Sequence, residues 1–289
     1  MRHDPPTEAA SGAAPPSQGT VAIAVAPNGG RRTKLDHPAL PMTPAELAHA
    51  AVECCEAGAA MIHVHVRDDD GAHLLDADAY RAASAAIQAA VGRRLVVQIT
   101  SESLGVYPPA HQMAVVKAVR PEAVSLALRE LVPEPASEPA FAHFLQWLKQ
   151  ARVIPQIILY TAGEALRLAD MQRRGLIPWM DVPVLYALGR YAVDQNSVPS
   201  DLLPFLAPDM PRFGHWMACA FGRHETACVT AAALLGGHIR VGFENNLWLP
   251  DGAAAASNAD LVAAAAGAIG FTGLGRAAAD DLRSAWMLG

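Results

Sequence analysis

Eight short runs of β-branched or apolar residues alternate with longer segments of helical period from Thr20 onward. This alternation is typical of parallel βα units, in which each strand is followed by a helix that packs against the sheet. Roughly 30 residues are available for each unit, which suits one strand, one helix and two loops. We therefore predict a single (β/α)8 TIM barrel over residues 20–289, with an open doubly wound sheet as the alternative fold.

The predicted strands are short, and helices of ordinary length are expected between them. They are Val21–Ala26, Ala60–Val66, Leu95–Thr100, Ala123–Ala127, Ile154–Leu159, Pro183–Leu188, Trp216–Phe221 and Ile239–Glu244. Two helix starts carry a capping box, in which Thr43 or Ser257 stands three positions before an acidic residue. No glycine-rich phosphate-binding motif is present in the sequence, which disfavours nucleotide-binding folds.

Composition and charge narrow the function classes. Hydrophobic residues make up 52% of the chain and charged residues 17%, so the material for a large core is present. The formal net charge of −6 is spread without long runs of one sign. A surface for nucleic acid or for an anionic membrane would need clustered basic residues, so we expect small-molecule partners instead.

Cysteine spacing and the first residues bear on location. The four cysteines have neither disulfide-framework nor zinc-motif spacing, which fits a reducing cytoplasm. Residues 1–19 contain four prolines and no apolar run, which predicts a flexible tail and not a signal peptide. No apolar stretch approaches the roughly 20 residues that span a bilayer. We therefore expect a cytoplasmic protein without a membrane segment.

The second predicted strand carries two histidines on one face. His63 and His65 alternate with apolar residues, so both side chains point toward the barrel axis near the carboxyl end of the strand. Enzymes with this fold build their sites at that end. Two neutral imidazoles at this spacing can reach one divalent ion. The alternative is a buried pair that is satisfied by neighbouring hydrogen bonds.

The last predicted strand offers a third ligand. Arg240, Gly242 and Glu244 share a face, and the eighth strand of a closed barrel lies beside the first and close to the second. Glu244 would complete a set of two histidines and one carboxylate with open positions, which suits zinc acting as a Lewis acid. The alternative is a structural ion pair between Glu244 and Arg240.

Three segments together resemble the β-keto acid cleavage enzymes. They are Gly58–Asp68 with its His-x-His-x-Arg-Asp pattern, His37–Pro44, and Gly236–Asn246 with the pattern Gly-Gly-His-x-Arg-Val-Gly-x-Glu. The resemblance runs from about Val21 to the end of the last barrel helix. It implies a zinc-dependent barrel, usually a homotetramer, that reacts a 3-keto acid with acetyl-CoA to give acetoacetate and a new acyl-CoA.

The resemblance also implies roles for individual residues. His63, His65 and Glu244 match the zinc ligands, and Arg240 matches the arginine that supports the catalytic acid. Thr100 and Ser125 fall where the family has substrate-binding hydroxyl residues. Gly222 and Arg223, at the start of the seventh helix, are candidates for the phosphates of CoA because a helix start is an anion site. The alternative for Arg223 is a structural role in its loop.

Departures from the family pattern fall at the expected active site. The aspartate usually taken as general base is Asn245 here, and an amide nitrogen cannot accept a proton near neutral pH. Asn245 is therefore a candidate for substrate binding only. Glu102 and Glu130 are the candidate replacement bases, and Arg129 is a candidate substrate-carboxylate anchor. Each of these three could instead be a solvated loop charge.

One further departure concerns the substrate, and two other functions remain open. Arg31 stands where some family members carry an acidic residue that contacts the substrate's amino group, which argues against an amino-substituted substrate. A metal-dependent hydrolase is one alternative, although no histidine lies between His143 and His215, where such barrels place further ligands. A catalytically silent zinc barrel that binds an acyl-CoA or a keto acid is the other.

Overall fold

A computed structural model describes residues 19–192 and 194–286. Eight parallel strands close into a barrel in the order β7-β8-β1-β2-β3-β4-β5-β6. They are β1 Ile23–Val25, β2 Met61–Val64, β3 Val96–Thr100, β4 Ala123–Ala127, β5 Ile154–Leu159, β6 Val184–Leu188, β7 Trp216–Ala220 and β8 His238–Val241. The predicted (β/α)8 barrel is therefore confirmed. The predicted tail over residues 1–19 falls, apart from Gly19, outside the described residues and stays a prediction.

The described part of the chain has eight helices of eight or more residues outside the barrel. They are α1 Pro44–Ala57, α2 Ala77–Val91, α3 Pro109–Val119, α4 Glu138–Ala151, α5 Ala162–Arg173, α6 Glu225–Leu234, α7 Asn258–Phe271 and α8 Ala279–Trp286. Both predicted capping boxes form, with Thr43 accepting from the Glu46 amide and Ser257 from the Asp260 amide. Two pairs of short strands lie outside the barrel, Thr20–Val21 with Gly275–Arg276 and Val66–Arg67 with His73–Leu74.

The connection between β6 and β7 departs from the predicted pattern. A helix of ordinary length was expected there, and the described part of 189–215 holds only the turns Pro199–Leu202 and Leu203–Leu206. Its four prolines explain the difference, because proline removes a backbone donor and breaks longer helices. They are Pro199, Pro204, Pro208 and Pro211. The buried side chains of Leu202, Phe205 and Phe213 join the hydrophobic cluster between strands and helices instead.

The hydrophobic core has two parts, as the alternation of strand residues dictates. Outward residues such as Val97 and Ile99 pack under the helices. Inward residues such as Val96, Ala123 and Met217 form a second cluster in the barrel. The inward cluster also contains Leu282 and Trp286 of α8.

The eighth strand ends earlier than predicted. It stops at Val241 and not at Glu244, because Gly242 takes a φ of +135° and turns the chain. The expected shared face of Arg240, Gly242 and Glu244 is therefore wrong as strand geometry. Glu244 reaches the barrel mouth from the turn that follows β8.

Candidate metal centre and active site

His63, His65 and Glu244 meet at the carboxyl end of the barrel. The two Nε2 atoms lie 3.2 Å apart, and Glu244 Oε2 lies 3.5 Å from His63 Nε2 and 3.4 Å from His65 Nε2. Donors bound tetrahedrally at ~2.0–2.1 Å from a zinc ion are about 3.3–3.4 Å apart. Glu244 Oε2 is buried and has no hydrogen-bond partner in the described residues. The spacing and the donor types therefore fit a divalent ion such as zinc.

A chain of buried amides orients His63. His63 Nδ1 lies 2.8 Å from Gln98 Oε1, the Gln98 amide donates to Gln156 Oε1 at 3.1 Å, and Gln156 donates to Met217 Sδ at 3.7 Å. A thioether sulfur can accept a hydrogen bond but cannot donate one. Met217 therefore favours the arrangement in which each group of this chain donates to the next group away from the metal centre. His63 then carries its proton on Nδ1 and presents the Nε2 lone pair to the ion.

The charges around the three ligands suit metal binding. Burial lowers the pKa of His63 to about 3, which keeps the imidazole neutral. Burial alone would raise the pKa of Glu244, but Arg240 and the two histidines hold it well below its ordinary range. Arg240 Nη2 lies 3.2 Å from Glu244 Oε1. The ion pair and the metal-facing carboxylate, alternatives in the sequence, thus use different oxygens of the same side chain.

Two glycines give Glu244 its place. Gly29 has a φ of +58°, and a Cβ there would lie 2.6 Å from Glu244 Cγ. A Cβ on Gly242 would lie 2.4 Å from the carbonyl oxygen of Ala26. Both positions therefore require glycine, because a side chain at either one would displace the carboxylate or separate β8 from β1.

Buried polar side chains hold the turn that carries Glu244. Glu225 accepts from the Gly242 amide at 3.2 Å and from Asn246 Nδ2 at 3.3 Å. Asn258 accepts from the Phe243 amide at 2.8 Å. Burial raises the pKa of Glu225 to about 8. Side chains from α6 and from the start of α7 thus hold the turn in place.

The centre opens into two adjoining cavities. The inner cavity is lined by the three ligands together with Thr100, Tyr160 and Arg240, among others. The outer cavity extends to Arg31, Arg32 and Gln195. Four residues line both cavities and so stand between them. They are Glu102, Arg190, Phe221 and Glu244.

The two predicted hydroxyl residues are neighbours. Thr100 lines the inner cavity, and Ser125 lies behind it and donates to Thr100 Oγ1 at 3.1 Å. Thr100 Oγ1 also accepts from the Glu102 amide at 3.0 Å. Of the pair, Thr100 is therefore the one that faces the cavity.

The two candidate bases occupy different environments. Glu102 places Oε2 3.7 Å from His65 Nδ1 and Oε1 3.2 Å from Arg190 Nη2. Glu130 lines neither cavity, and it accepts from the Ser103 amide at 2.8 Å. Burial raises the pKa of Glu130. Only Glu102 of these two carboxylates reaches the metal centre.

Four other predicted residues lie outside both cavities. Arg129 pairs with Glu164 at 2.6 Å and stacks on two tyrosines. The Asn245 side chain is fully buried, without a hydrogen-bond partner in the described residues. The Gly222 amide donates to the Asn245 carbonyl at 3.1 Å, so it is not available to a phosphate. The exposed Arg223 guanidinium lies over the Trp248 ring.

Sequence reasoning missed several residues of the site. Gln98 and Gln156 are polar residues at inward positions of apolar strands, and the same alternation that revealed the histidines could have found them. Arg190 and Tyr160 follow β6 and β5 without a motif. Their position just past a strand end is the one available signal.

The model of the beta-keto acid cleavage enzyme family matches residues 20–288. The chain belongs to this family. It is therefore an enzyme of a class that transfers acyl groups and cleaves carbon–carbon bonds.

The matches to individual relatives have low sequence identity but cover most of each chain. The chain is 28% identical to 3-keto-5-aminohexanoate cleavage enzyme of Fusobacterium nucleatum over 251 residues, 81% of this chain and 85% of that enzyme. It is 28% identical to 3-oxoadipate:acetyl-CoA acetyltransferase of Cupriavidus necator over 254 residues, 83% of this chain and 85% of that enzyme.

Solved structures support the same fold. The ternary complex of ObcA with C4-CoA adduct and oxalate superposes with a TM-score of 0.67 at 17% identity, covering 87% of this chain and 68% of ObcA. Among the described helices, none combines the length and apolar character needed to cross a membrane.

Proposed function

We propose that this family member converts a 3-keto acid and acetyl-CoA into acetoacetate and a new acyl-CoA, with zinc held by His63, His65 and Glu244. The observation that carries the proposal is the ligand set at the barrel mouth, in one cavity with Thr100 and Arg240. The names of relatives from Cupriavidus necator and Rhizobium meliloti, a 3-oxoadipate and a 3-dehydrocarnitine transferase, both specify acetyl-CoA. A cytoplasmic homotetramer is part of the same proposal.

In the proposed reaction the acetyl group moves from the sulfur of CoA to a carbon atom of the keto acid. The original acyl group of the keto acid moves to the sulfur of CoA in return. A base takes a proton from the carbon between the keto group and the carboxylate, and that carbon attacks acetyl-CoA and releases CoA thiolate. The thiolate then attacks the original keto carbon, and the bond to the former nucleophilic carbon breaks. Acetoacetate leaves after regaining the proton, and the remaining acyl group leaves as its CoA thioester. Bound zinc would supply Lewis acidity at the keto oxygen.

The chain's own residues divide this work. Glu102 is the proposed base, because its carboxylate lines both cavities and is held in place by Arg190. Thr100, backed by Ser125, is proposed to bind the substrate carboxylate. Arg240 holds Glu244 and presents two further buried nitrogens without partners in the described residues.

The other predicted site residues line neither cavity. Arg223 is proposed to meet the CoA phosphates from its exposed position. Arg129, Asn245 and Gly222 would then act by supporting the loops around the mouth, because their polar groups are either paired or buried outside the cavities.

A coupled assay tests the function. Purified zinc-loaded protein is incubated with acetyl-CoA and a panel of 3-keto acids, and acetoacetate and acyl-CoA are quantified together. We expect the two products in equal amounts and only when both substrates are present. Equal cleavage without any CoA ester would favour the hydrolase, and binding without turnover would favour the silent barrel.

A further inference from the structure

The wall of the outer cavity carries two arginines that form no direct ion pair among the described residues. Arg31 and Arg32 lie on its wall, in the loop that follows β1. Arg31 is exposed and makes no hydrogen bond or ion pair among the described residues. Arg32 is half-buried, with Nη1 donating to the Phe243 carbonyl and no carboxylate within 4 Å among the described residues.

The other arginines of the site are already engaged. Arg67 donates to the carbonyls of Gly29, Arg32 and Gly71 at 2.5–2.9 Å. Arg190 pairs with Glu102 at 3.2 Å, and Arg240 pairs with Glu244 at the same distance. The outer cavity therefore has two cationic side chains with unused donors.

The arrangement places arginines of the protein at both ends of a bound molecule. Glu244 and Glu102 lie on the walls of both cavities, so a substrate at the metal centre can extend into each. Its inner end meets Thr100 and Arg240, and its outer end meets Arg31 and Arg32. An ammonium group at the outer end would be repelled, and an uncharged end would leave the two arginines without a directly paired carboxylate.

We infer that the substrate is a 3-keto dicarboxylic acid whose second carboxylate binds Arg31 and Arg32. The inference rests on the proposed function and specifies its substrate class. Carboxylate recognition by paired guanidinium groups follows from their planar, multiple donors. Acetoacetate and an acyl-CoA with a terminal carboxylate are then the products. That thioester must be consumed by a reaction that accepts a carboxyacyl-CoA.

The experiment compares two substrates of equal chain length. One is the six-carbon 3-keto diacid, and the other is the six-carbon 3-keto monoacid with a methyl group at its far end. The variants are Arg31→Gln, Arg32→Gln and the double substitution. Arg93→Gln is the matched control, because Arg93 is 80% exposed and lies before β3 at the opposite end of the barrel.

We expect the wild type to prefer the diacid by about tenfold or more in kcat/KM, and the double variant to lose most of that preference. The ratio of the two substrates is decisive, because damage to the Glu244 turn by the loss of Arg32 would lower both rates together. Isothermal titration with the diacid alone should show weaker binding in the variants and unchanged binding in Arg93→Gln.

Three results would overturn the inference. They are turnover of the monoacid as good as that of the diacid in the wild type, an unchanged ratio in the double variant, and a raised KM for acetyl-CoA with an unchanged KM for the diacid. The last would assign the two arginines to CoA phosphate. In all three cases turnover persists, whereas failure of the proposed function would abolish turnover of every keto acid.

Discussion

Glu244 uses its two oxygens for different partners, one for Arg240 and one for the histidines. The guanidinium keeps the carboxylate ionised, and ionisation is what a metal ligand requires. A substitution that removes the charge but keeps the shape therefore tests the metal centre directly.

We predict about one zinc ion per chain as purified, with binding weakened at least about 100-fold in His63→Ala, His65→Ala and Glu244→Gln. Metal content is measured by mass spectrometry after dialysis against a weak chelator. His49→Ala is the control, because His49 is 77% exposed on α1. Stoichiometric zinc in all three ligand variants would show that the ion binds elsewhere.

Glu102 and Glu130 make a matched pair of carboxylates. We predict that Glu102→Gln lowers kcat by about 10² to 10⁴, the usual cost of losing a well-placed base. Glu130→Gln should leave kcat within a few-fold, because its carboxylate supports the Ser103 amide and does not reach the cavity. Zinc content is measured alongside the rates. Wild-type kcat in Glu102→Gln with full zinc would remove Glu102 from the mechanism.

At the scale of the elements, the stability of the turn after β8 depends on the protonation state of Glu225. Its pKa of about 8 exceeds the ordinary value of 4.5, since burial outweighs the nearby Arg32 and Arg240. The folded protein therefore keeps this proton where the unfolded chain has lost it. The contribution of Glu225 to stability is highest below pH 4.5 and declines as the pH rises toward about 8.

We predict that the free energy of unfolding falls between pH 6.5 and 8 in the wild type, by up to ~1.4 kcal/mol per pH unit. Glu225→Gln should lack this slope. The half-buried His73 and His238, with pKa values of about 4, add stability only as the pH rises to about 6.5 and so do not interfere. Urea unfolding at several pH values measures the effect. Parallel slopes in the two proteins would contradict it.

The strands and the site were not equally predictable from sequence. The alternation of apolar runs with helical segments predicted the eight strands, and the period of two within the second predicted strand predicted the inward histidines. Both patterns arise because the strands of a barrel are buried on both faces. They could not reveal that Gly242 ends β8, since glycine within an apolar run is also compatible with a strand. Nor could they reveal that Arg190 pairs with Glu102, because the two lie 88 residues apart and meet only when the barrel closes.

At the scale of the whole molecule, α8 covers the end of the barrel opposite the metal centre. Arg283 donates to Glu122 at 2.5 Å and to the carbonyls of Arg93 and Leu95 at 2.7 and 2.9 Å. These partners lie just before β3 and β4. The helix thus ties together the starts of two strands, while the ligands occupy strand ends.

We predict that Arg283→Ala lowers the free energy of unfolding by roughly 2–4 kcal/mol, because it leaves buried acceptors without a donor. Zinc affinity should stay unchanged. Arg276→Ala, which removes one exposed contact at 3.5 Å, is the control. Chemical denaturation and zinc titration give the two quantities. Loss of zinc binding in Arg283→Ala would mean that the two ends of the barrel are coupled.

The proline-rich connection between β6 and β7 gives this enzyme a sector with few regular backbone hydrogen bonds. Amide hydrogen exchange should therefore be faster there than in the barrel strands and the long helices, through openings that leave the rest of the barrel intact. This connection brings Arg190 and Gln195 to the outer cavity, whereas the three candidate ligands come from β2, from the residue directly after it and from the turn after β8. Substrate access and metal retention can then have separate rates, with the mouth opening many times during the residence of one ion.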